Sequence, residues 1–196
     1  MTPARWLKVA VGACALLALL LAVEIHLSTE SNLAVHRLVG SPAPAFQLHA
    51  EDHGQVLPQT ISLPKERGHT VLLVFVYSLC AHCLSQIQVT KEMTGQQVTG
   101  GLRIIYIDSP AESPGIISAY AERLGIEDSA TPILLDDDGA LAQAYGIVYY
   151  PTTVLIDPAG IVRQVWTGET SSDTLRSAID LLAMHHQVSV GGILYE

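Results

Sequence analysis

Cysteine is scarce in this chain of 196 residues, which holds only Cys14, Cys80 and Cys83. Small secreted domains without a large core depend on several disulfides, and three cysteines cannot supply them. Cys14 lies inside an apolar N-terminal segment, so Cys80 and Cys83 are the only pair in the rest of the chain. The count excludes a disulfide-stapled scaffold and leaves a catalytic or a metal-binding role for this pair.

Basic side chains are also few: 10 Lys and Arg stand against 19 Asp and Glu, for a formal net charge of -9. Residues 40–196 contain 7 basic and 17 acidic side chains, a balance of -10. A basic patch interleaved with aromatic rings, which is typical of proteins that bind nucleic acid, is missing. Nucleic acid is therefore not expected as a partner.

One long apolar run is present, the 15 residues Val9–Val23, and the basic residues Arg5 and Lys8 precede it. A helix extended from Leu7 to Leu27 is about 30 Å long, enough to cross a bilayer. Basic residues before such a run orient the domain after it outward. Because no small-x-small cleavage site comes after the run, we expect a retained signal anchor, residues 1–27, with the remaining chain outside the cytoplasm.

Cys80-Ala81-His82-Cys83 comes after the apolar run Val71–Val76 and a short connection. A strand that leads into a C-x-x-C helix start places both sulfurs on the first turn, where they can close a small ring. Unpaired backbone N–H groups and the helix dipole stabilise a thiolate at the first cysteine. We expect Cys80 to be the attacking thiolate and Cys83 the resolving thiol.

Four segments are predicted along the chain: the anchor 1–27, a polar linker 28–39, one α/β domain 40–186, and a tail 187–196. Within the domain, an extended arm at Pro42 and Pro44 leads into a β-hairpin whose return strand is predicted at 61–63. Alternating strands and helices follow, among them a helix predicted at 114–124 and a solvated turn predicted at Asp136–Gly139. A second hairpin and a closing helix end the order. This order predicts a central mixed sheet with helices on both faces and an N-terminal β-hairpin extension.

Three motifs together resemble the thioredoxin superfamily, specifically its membrane-anchored, extracytoplasmic TlpA-like redoxin branch. The resemblance covers roughly residues 40–185. Its motifs are Gly40-x-Pro42-x-Pro44-x-Phe46, the Cys80–Cys83 segment, and Tyr150-Pro151-Thr152-Thr153 running into Asp157-x-x-Gly160. The resemblance implies a thioredoxin-like fold and a thiol–disulfide oxidoreductase that acts on protein thiols and disulfides, in cytochrome c maturation or in disulfide formation. It also implies a membrane redox partner that resets the pair, and no cofactor.

The same resemblance gives roles to further residues. It assigns Pro151 to a cis-proline beside the disulfide, with the backbone of Tyr150 pairing with an extended substrate segment. It also places Val74 where thioredoxin has a buried aspartate that takes the proton of the second cysteine. A water, His82 or an acid from elsewhere, with Asp108 at a strand end as the candidate, is left to accept this proton.

His82 lies between the cysteines, as in the strongly oxidising disulfide-forming branch of the superfamily. A cationic or hydrogen-bonding imidazole near Cys80 stabilises the thiolate and makes the couple more oxidising. The alternative is an exposed side chain without a role.

Two other functions remain open at this stage. A copper-binding assembly factor of related fold favours a longer cysteine spacing and a histidine in the loop that here reads Tyr149-Tyr150-Pro151. A peroxidase needs Thr-x-x-Cys, whereas this chain has Tyr77 at the corresponding position. A reversible disulfide between Cys80 and Cys83 is expected only of the oxidoreductase.

Overall fold

A computed structural model of the chain describes residues 12–24, 37–52, 55–77, 80–94, 101–109 and 133–191, with side chains up to residue 184. The linker predicted at 28–39 lies outside these residues except for a turn at 37–39, and a helix predicted at 114–124 lies wholly outside them. Residues 12–24 form a helix, α1, whose side chains are all exposed. In the parts of the chain that the structure describes, no helix is both long and apolar enough to span a membrane.

The core of the molecule is a seven-stranded mixed sheet. Its strands are β1 Gln47–Asp52, β2 Gln55–Ser62, β3 Thr70–Val76, β4 Leu102–Asp108, β5 Ile133–Leu135, β6 Thr152–Ile156 and β7 Val162–Thr167. They lie in the order β2-β1-β5-β4-β3-β6-β7; β3, β4 and β5 are parallel, and the other pairings are antiparallel. The mixed sheet and the N-terminal hairpin predicted from the sequence are confirmed.

Helices cover both faces of this sheet, as predicted. The further helices are α2 Ala81–Thr94, α3 Ala140–Tyr145 and α4 Ser172–Gly191. One core cluster joins alternate residues of β3 to α3, and the other joins the intervening residues of β3 to α2 and α4. Since every residue of β3 is buried, the strand reads as a continuous apolar run. Helix α4 continues past the predicted domain boundary at 186.

The hairpin strand β2 is longer than the sequence indicated, because the pattern predicted only 61–63 as a return strand. Pro58 lies inside β2 and has no N–H to donate, which argues against a central strand. Strand β2 lies at the edge of the sheet, where one side of the strand needs no ladder partner, so the proline is accommodated. The extended arm predicted around Pro42 is present and forms an antiparallel bridge with Ile161, just before β7.

The segment Asp136–Gly139, which the sequence suggested was a solvated turn, is solvated only in part. Asp137 and Asp138 are exposed, whereas Asp136 is 1% exposed. Its carboxylate accepts hydrogen bonds from the backbone N–H groups of Leu141 and Ala142 at 3.0 and 2.9 Å. Asp136 therefore caps α3 from inside the protein, because a helix start leaves these N–H groups without backbone partners.

We expect Asp136→Ala to lower the free energy of unfolding by about 2–3 kcal/mol, because it removes hydrogen bonds to a buried carboxylate. Asp138→Ala is the matched control: its exposed carboxylate accepts only the N–H of Ala140 among the described contacts, and the loss should stay below about 1 kcal/mol. Urea unfolding of the oxidised protein measures both values. Equal losses in the two variants would contradict the assignment.

Candidate active site

The first turn of α2 carries the two cysteines and determines their different environments. Ala81 is the first helical residue, and the carbonyl of Cys80 accepts the N–H groups of Cys83 and Leu84 at 3.1 and 3.3 Å. Cys80 is thus the residue that caps the helix. Its Sγ lies 3.1 Å from the backbone N of Cys83, whose N–H donates to it. The N–H of Cys83 is thus shared between the carbonyl oxygen and the Sγ of Cys80, and a donor at the sulfur favours a thiolate at Cys80.

Cys83 lies three residues further along and is fully buried, with 0% of its surface exposed. It belongs to the core cluster beneath α2, whereas Cys80 is half-buried at the rim. The two residues form a disulfide with a Cα–Cα distance of 5.2 Å. The accessible and the buried sulfur occupy the places that the sequence predicted for the attacking and resolving cysteines.

The loop before β6 meets the disulfide from the side. The peptide bond between Tyr150 and Pro151 is cis, as the resemblance implied. The Sγ of Cys80 lies 3.7 Å from the carbonyl oxygen of Tyr150, and Pro151 is buried. Tyr150 and Pro151 therefore adjoin Cys80, and their role in binding an extended substrate stays a prediction.

Tyr150 also connects the site to polar groups that the sequence did not single out. Burial raises the pKa of its phenol, a hydrogen bond with Ser109 lowers it, and the charges of Asp136 and Asp108 raise it further. Ser109 Oγ in turn donates to Asp136 at 2.6 Å. Ser109 and Asp136 both come after the carboxyl ends of parallel strands, β4 and β5, and such ends meet at one edge of a sheet. The position of Ser109 and Asp136 just after two predicted strands was the signal in the sequence that could have identified them.

His82 points away from the core and is 78% exposed. Its Nδ1 forms a hydrogen bond of 2.5 Å with Oε1 of Glu169, a residue between β7 and α4 that the sequence did not indicate. The hydrogen bond from His82 lowers the pKa of Glu169, and a second bond from Ser85 to Oε2 acts in the same direction. The exposed position agrees with either reading of His82, and its effect on the thiolate stays a prediction.

The residue that corresponds to the buried acid of thioredoxin is apolar in this chain. Val74 is 0% exposed and lies between Tyr106 of β4 and Thr153 of β6 in the sheet. Asp108, the candidate proton acceptor, is 2% exposed at the end of β4, where it pairs with Val76. Its role toward Cys83 stays a prediction.

The two alternative functions each need residues at particular places. The loop at Tyr149, Tyr150 and Pro151 carries no histidine beside the cysteines, and Tyr77 stands where a peroxidase has threonine. Within the described ranges, no three His, Cys, Asp or Glu residues are grouped so that they could hold a metal ion. The disulfide and the cis-proline beside it are what the oxidoreductase requires.

Comparison with known proteins agrees with this geometry. The AhpC/TSA family matches residues 39–165. Thiol-disulfide oxidoreductase ResA of Geobacillus thermodenitrificans is 28% identical over 145 residues, which are 72% of this chain and 76% of ResA. Thiol:disulfide interchange protein DsbE of Escherichia coli is 29% identical over 132 residues, 67% of this chain and 66% of DsbE.

A solved structure agrees with the fold. The exposed lipoprotein thioredoxin Etrx1 of Streptococcus pneumoniae superimposes with a TM-score of 0.59 at 24% identity, over 71% of this chain and all of that one. At this identity the likeness shows the thioredoxin-like fold alone, and the fold predicted from the sequence is confirmed.

We expect Cys80→Ser to abolish disulfide exchange, whereas Cys83→Ser should still form a mixed disulfide but release it slowly. The reason is that Cys80 is the accessible sulfur at the helix start and Cys83 is buried. Incubation with a disulfide-bonded peptide, followed by non-reducing gels and mass spectrometry, measures the adduct.

Cys14→Ser serves as the control in both backgrounds and should change neither result, since Cys14 lies outside the pair. If the thiol of Cys83 proved the more reactive of the two, the assignment of roles would be wrong.

Proposed function

The chain belongs to the AhpC/TSA family, and from this membership we propose that it exchanges the Cys80–Cys83 disulfide with thiols of proteins outside the cytoplasm while attached to the membrane. Its activity class is that of a thiol–disulfide oxidoreductase, the name that its relatives carry. The protein substrates, the location and the direction of exchange are the proposed parts.

One observation carries the proposal: the accessible sulfur of the pair both caps α2 and faces the carbonyl of Tyr150. The N–H of Cys83 supports a thiolate at Cys80. The carbonyl of Tyr150, 3.7 Å from that sulfur, belongs to the backbone that would pair with an extended segment of the substrate. A protein disulfide bound there would meet the accessible sulfur of Cys80 first, and Cys83 would then break the mixed disulfide.

The proposed location rests on the N-terminal sequence. Arg5 and Lys8 precede Val9–Val23, and this order favours export of the domain that the run precedes. The described helix α1 covers residues 12–23 of that run, and the ends of the predicted anchor, 1–11 and 25–27, lie outside the described residues. Etrx1, one structural relative, is named an exposed lipoprotein.

The chemistry requires two partners. Each turnover leaves the pair in the opposite redox state, so a second protein must reset it, and for a membrane-attached domain we propose a membrane redox protein. The substrate is a protein thiol or disulfide, used either in cytochrome c maturation or in disulfide formation. Trapping the mixed disulfide in the Cys83→Ser variant and identifying the bound protein separates these two uses.

Protease treatment of spheroplasts tests the location. We expect the domain to be digested from outside and the intact protein to stay in the membrane fraction, because the apolar run has no clear cleavage site. A domain protected from protease would contradict export. A soluble product shortened by about 2–3 kDa would contradict the anchor and leave the export claim intact.

His82→Pro tests the direction of exchange. Loss of the imidazole should destabilise the Cys80 thiolate and make the couple more reducing by about 30 mV, which corresponds to about 1.4 kcal/mol for two electrons. Equilibration of wild type and variant with glutathione measures this shift. An unchanged or more oxidising couple would identify His82 as a passive spacer.

A further inference from the structure

The loop between β7 and α4 is held against the first two turns of α2 by paired hydrogen bonds. Oε1 of Glu169 binds His82, and its Oε2 accepts the hydroxyl of Ser85 at 3.2 Å. The amide of Gln86 donates to the carbonyl of Thr170 at 3.2 Å and accepts the N–H of that same residue at 2.6 Å. Both oxygens of the Glu169 carboxylate therefore have a partner on α2, although the side chain is 44% exposed.

This loop also contacts the other wall of the active site. The N–H of Gly168 donates to the carbonyl of Pro151 at 2.8 Å. Glu169 thus comes directly after a residue bound to the cis-proline and itself binds a residue between the two cysteines. A side chain so placed can act on the disulfide without contacting either sulfur.

His82 would otherwise be a free surface imidazole. It is 78% exposed, and a surface side chain of this kind has rotamer freedom. The bond to Glu169 fixes the orientation of the ring. The pKa of Glu169 is lowered by the bond from His82, so the carboxylate is ionised at neutral pH.

We propose that Glu169 is a positioning residue of the redox couple, which holds the imidazole of His82 in place beside the start of α2, where it stabilises the Cys80 thiolate of the reduced pair. The inference rests on the proposed effect of His82. The carboxylate of Glu169 contacts His82 and Ser85 of α2. Its negative charge therefore lies beside this helix rather than at the end of the helix, and the imidazole of His82 is its partner.

The reaction that reports this effect is the equilibrium with glutathione. The Cys80–Cys83 disulfide and two glutathione thiols give the protein dithiol and one glutathione disulfide, so two electrons and two protons pass to the protein. Stabilising the Cys80 thiolate favours the dithiol. Glu169→Gln should therefore lower the equilibrium constant for reduction about two- to fivefold, the range of an exposed ion pair.

A double-mutant cycle with His82→Ala isolates the action through the imidazole. With no imidazole present, the carboxylate of Glu169 keeps its hydrogen bond with Ser85 but has no imidazole to position, so in that background Glu169→Gln should leave the constant unchanged. Asp173→Asn is the matched control: it removes an exposed acid at the start of α4 and should leave the constant unchanged.

Three results would overturn the proposal: an unchanged constant in Glu169→Gln, the same decrease in the His82→Ala background, or an equal decrease in Asp173→Asn. Failure of the function itself has a different signature, because wild type would then show no reversible disulfide with glutathione. Urea unfolding of each oxidised variant identifies any change that arises from loss of folding instead.

Discussion

Burial of β3 on both faces is the constraint on which the rest of the molecule depends. Its seven residues are all buried, with alternate side chains in the two core clusters, so the strand can occupy only the middle of the sheet. The chain that leaves its carboxyl end must then turn into α2 at the same edge where β4 and β5 also end. Cys80 stands at that turn because the strand before it has no freedom to shift its register.

The same constraint explains why polar groups gather near the disulfide. Parallel strands bring their carboxyl ends together. Asp108, Ser109 and Asp136 all lie at such ends, and all three affect the pKa of Tyr150. One carboxylate, that of Asp136, both caps α3 and accepts the hydroxyl of Ser109. The start of α3 and the environment of the cis-proline loop are therefore mechanically connected through a single side chain.

The sequence predicted those features that depend on local pattern. The buried strand and the C-x-x-C helix start each depend on residues close together in the chain, and the order of elements indicated the mixed sheet. The cis bond before Pro151 was implied by the resemblance to the thioredoxin superfamily. Features that depend on contacts between distant segments were missed. The bond between Glu169 and His82 joins residues 87 apart, and no periodicity or motif marks it.

Two further misses have the same origin. Asp136 looked like part of a hydrophilic turn, because burial of a charge becomes visible only once its partners are placed. Strand β2 was underestimated because Pro58 is compatible with a strand only at an edge, and edge position is a property of the assembled sheet.

That edge position has a consequence for how the molecule behaves among its own copies. An open strand edge is a template on which another chain can add, and long regular edges lead to aggregation. Here one edge strand is interrupted by Pro58, which offers no N–H to an incoming strand. At the opposite edge, the backbone of residues 40–43 already occupies the groups at the start of β7, through bonds such as that from Gly40 N to Val162 O at 2.8 Å. Both edges of the sheet thus offer an incoming strand a shorter uninterrupted run of backbone groups than the lengths of β2 and β7 would give.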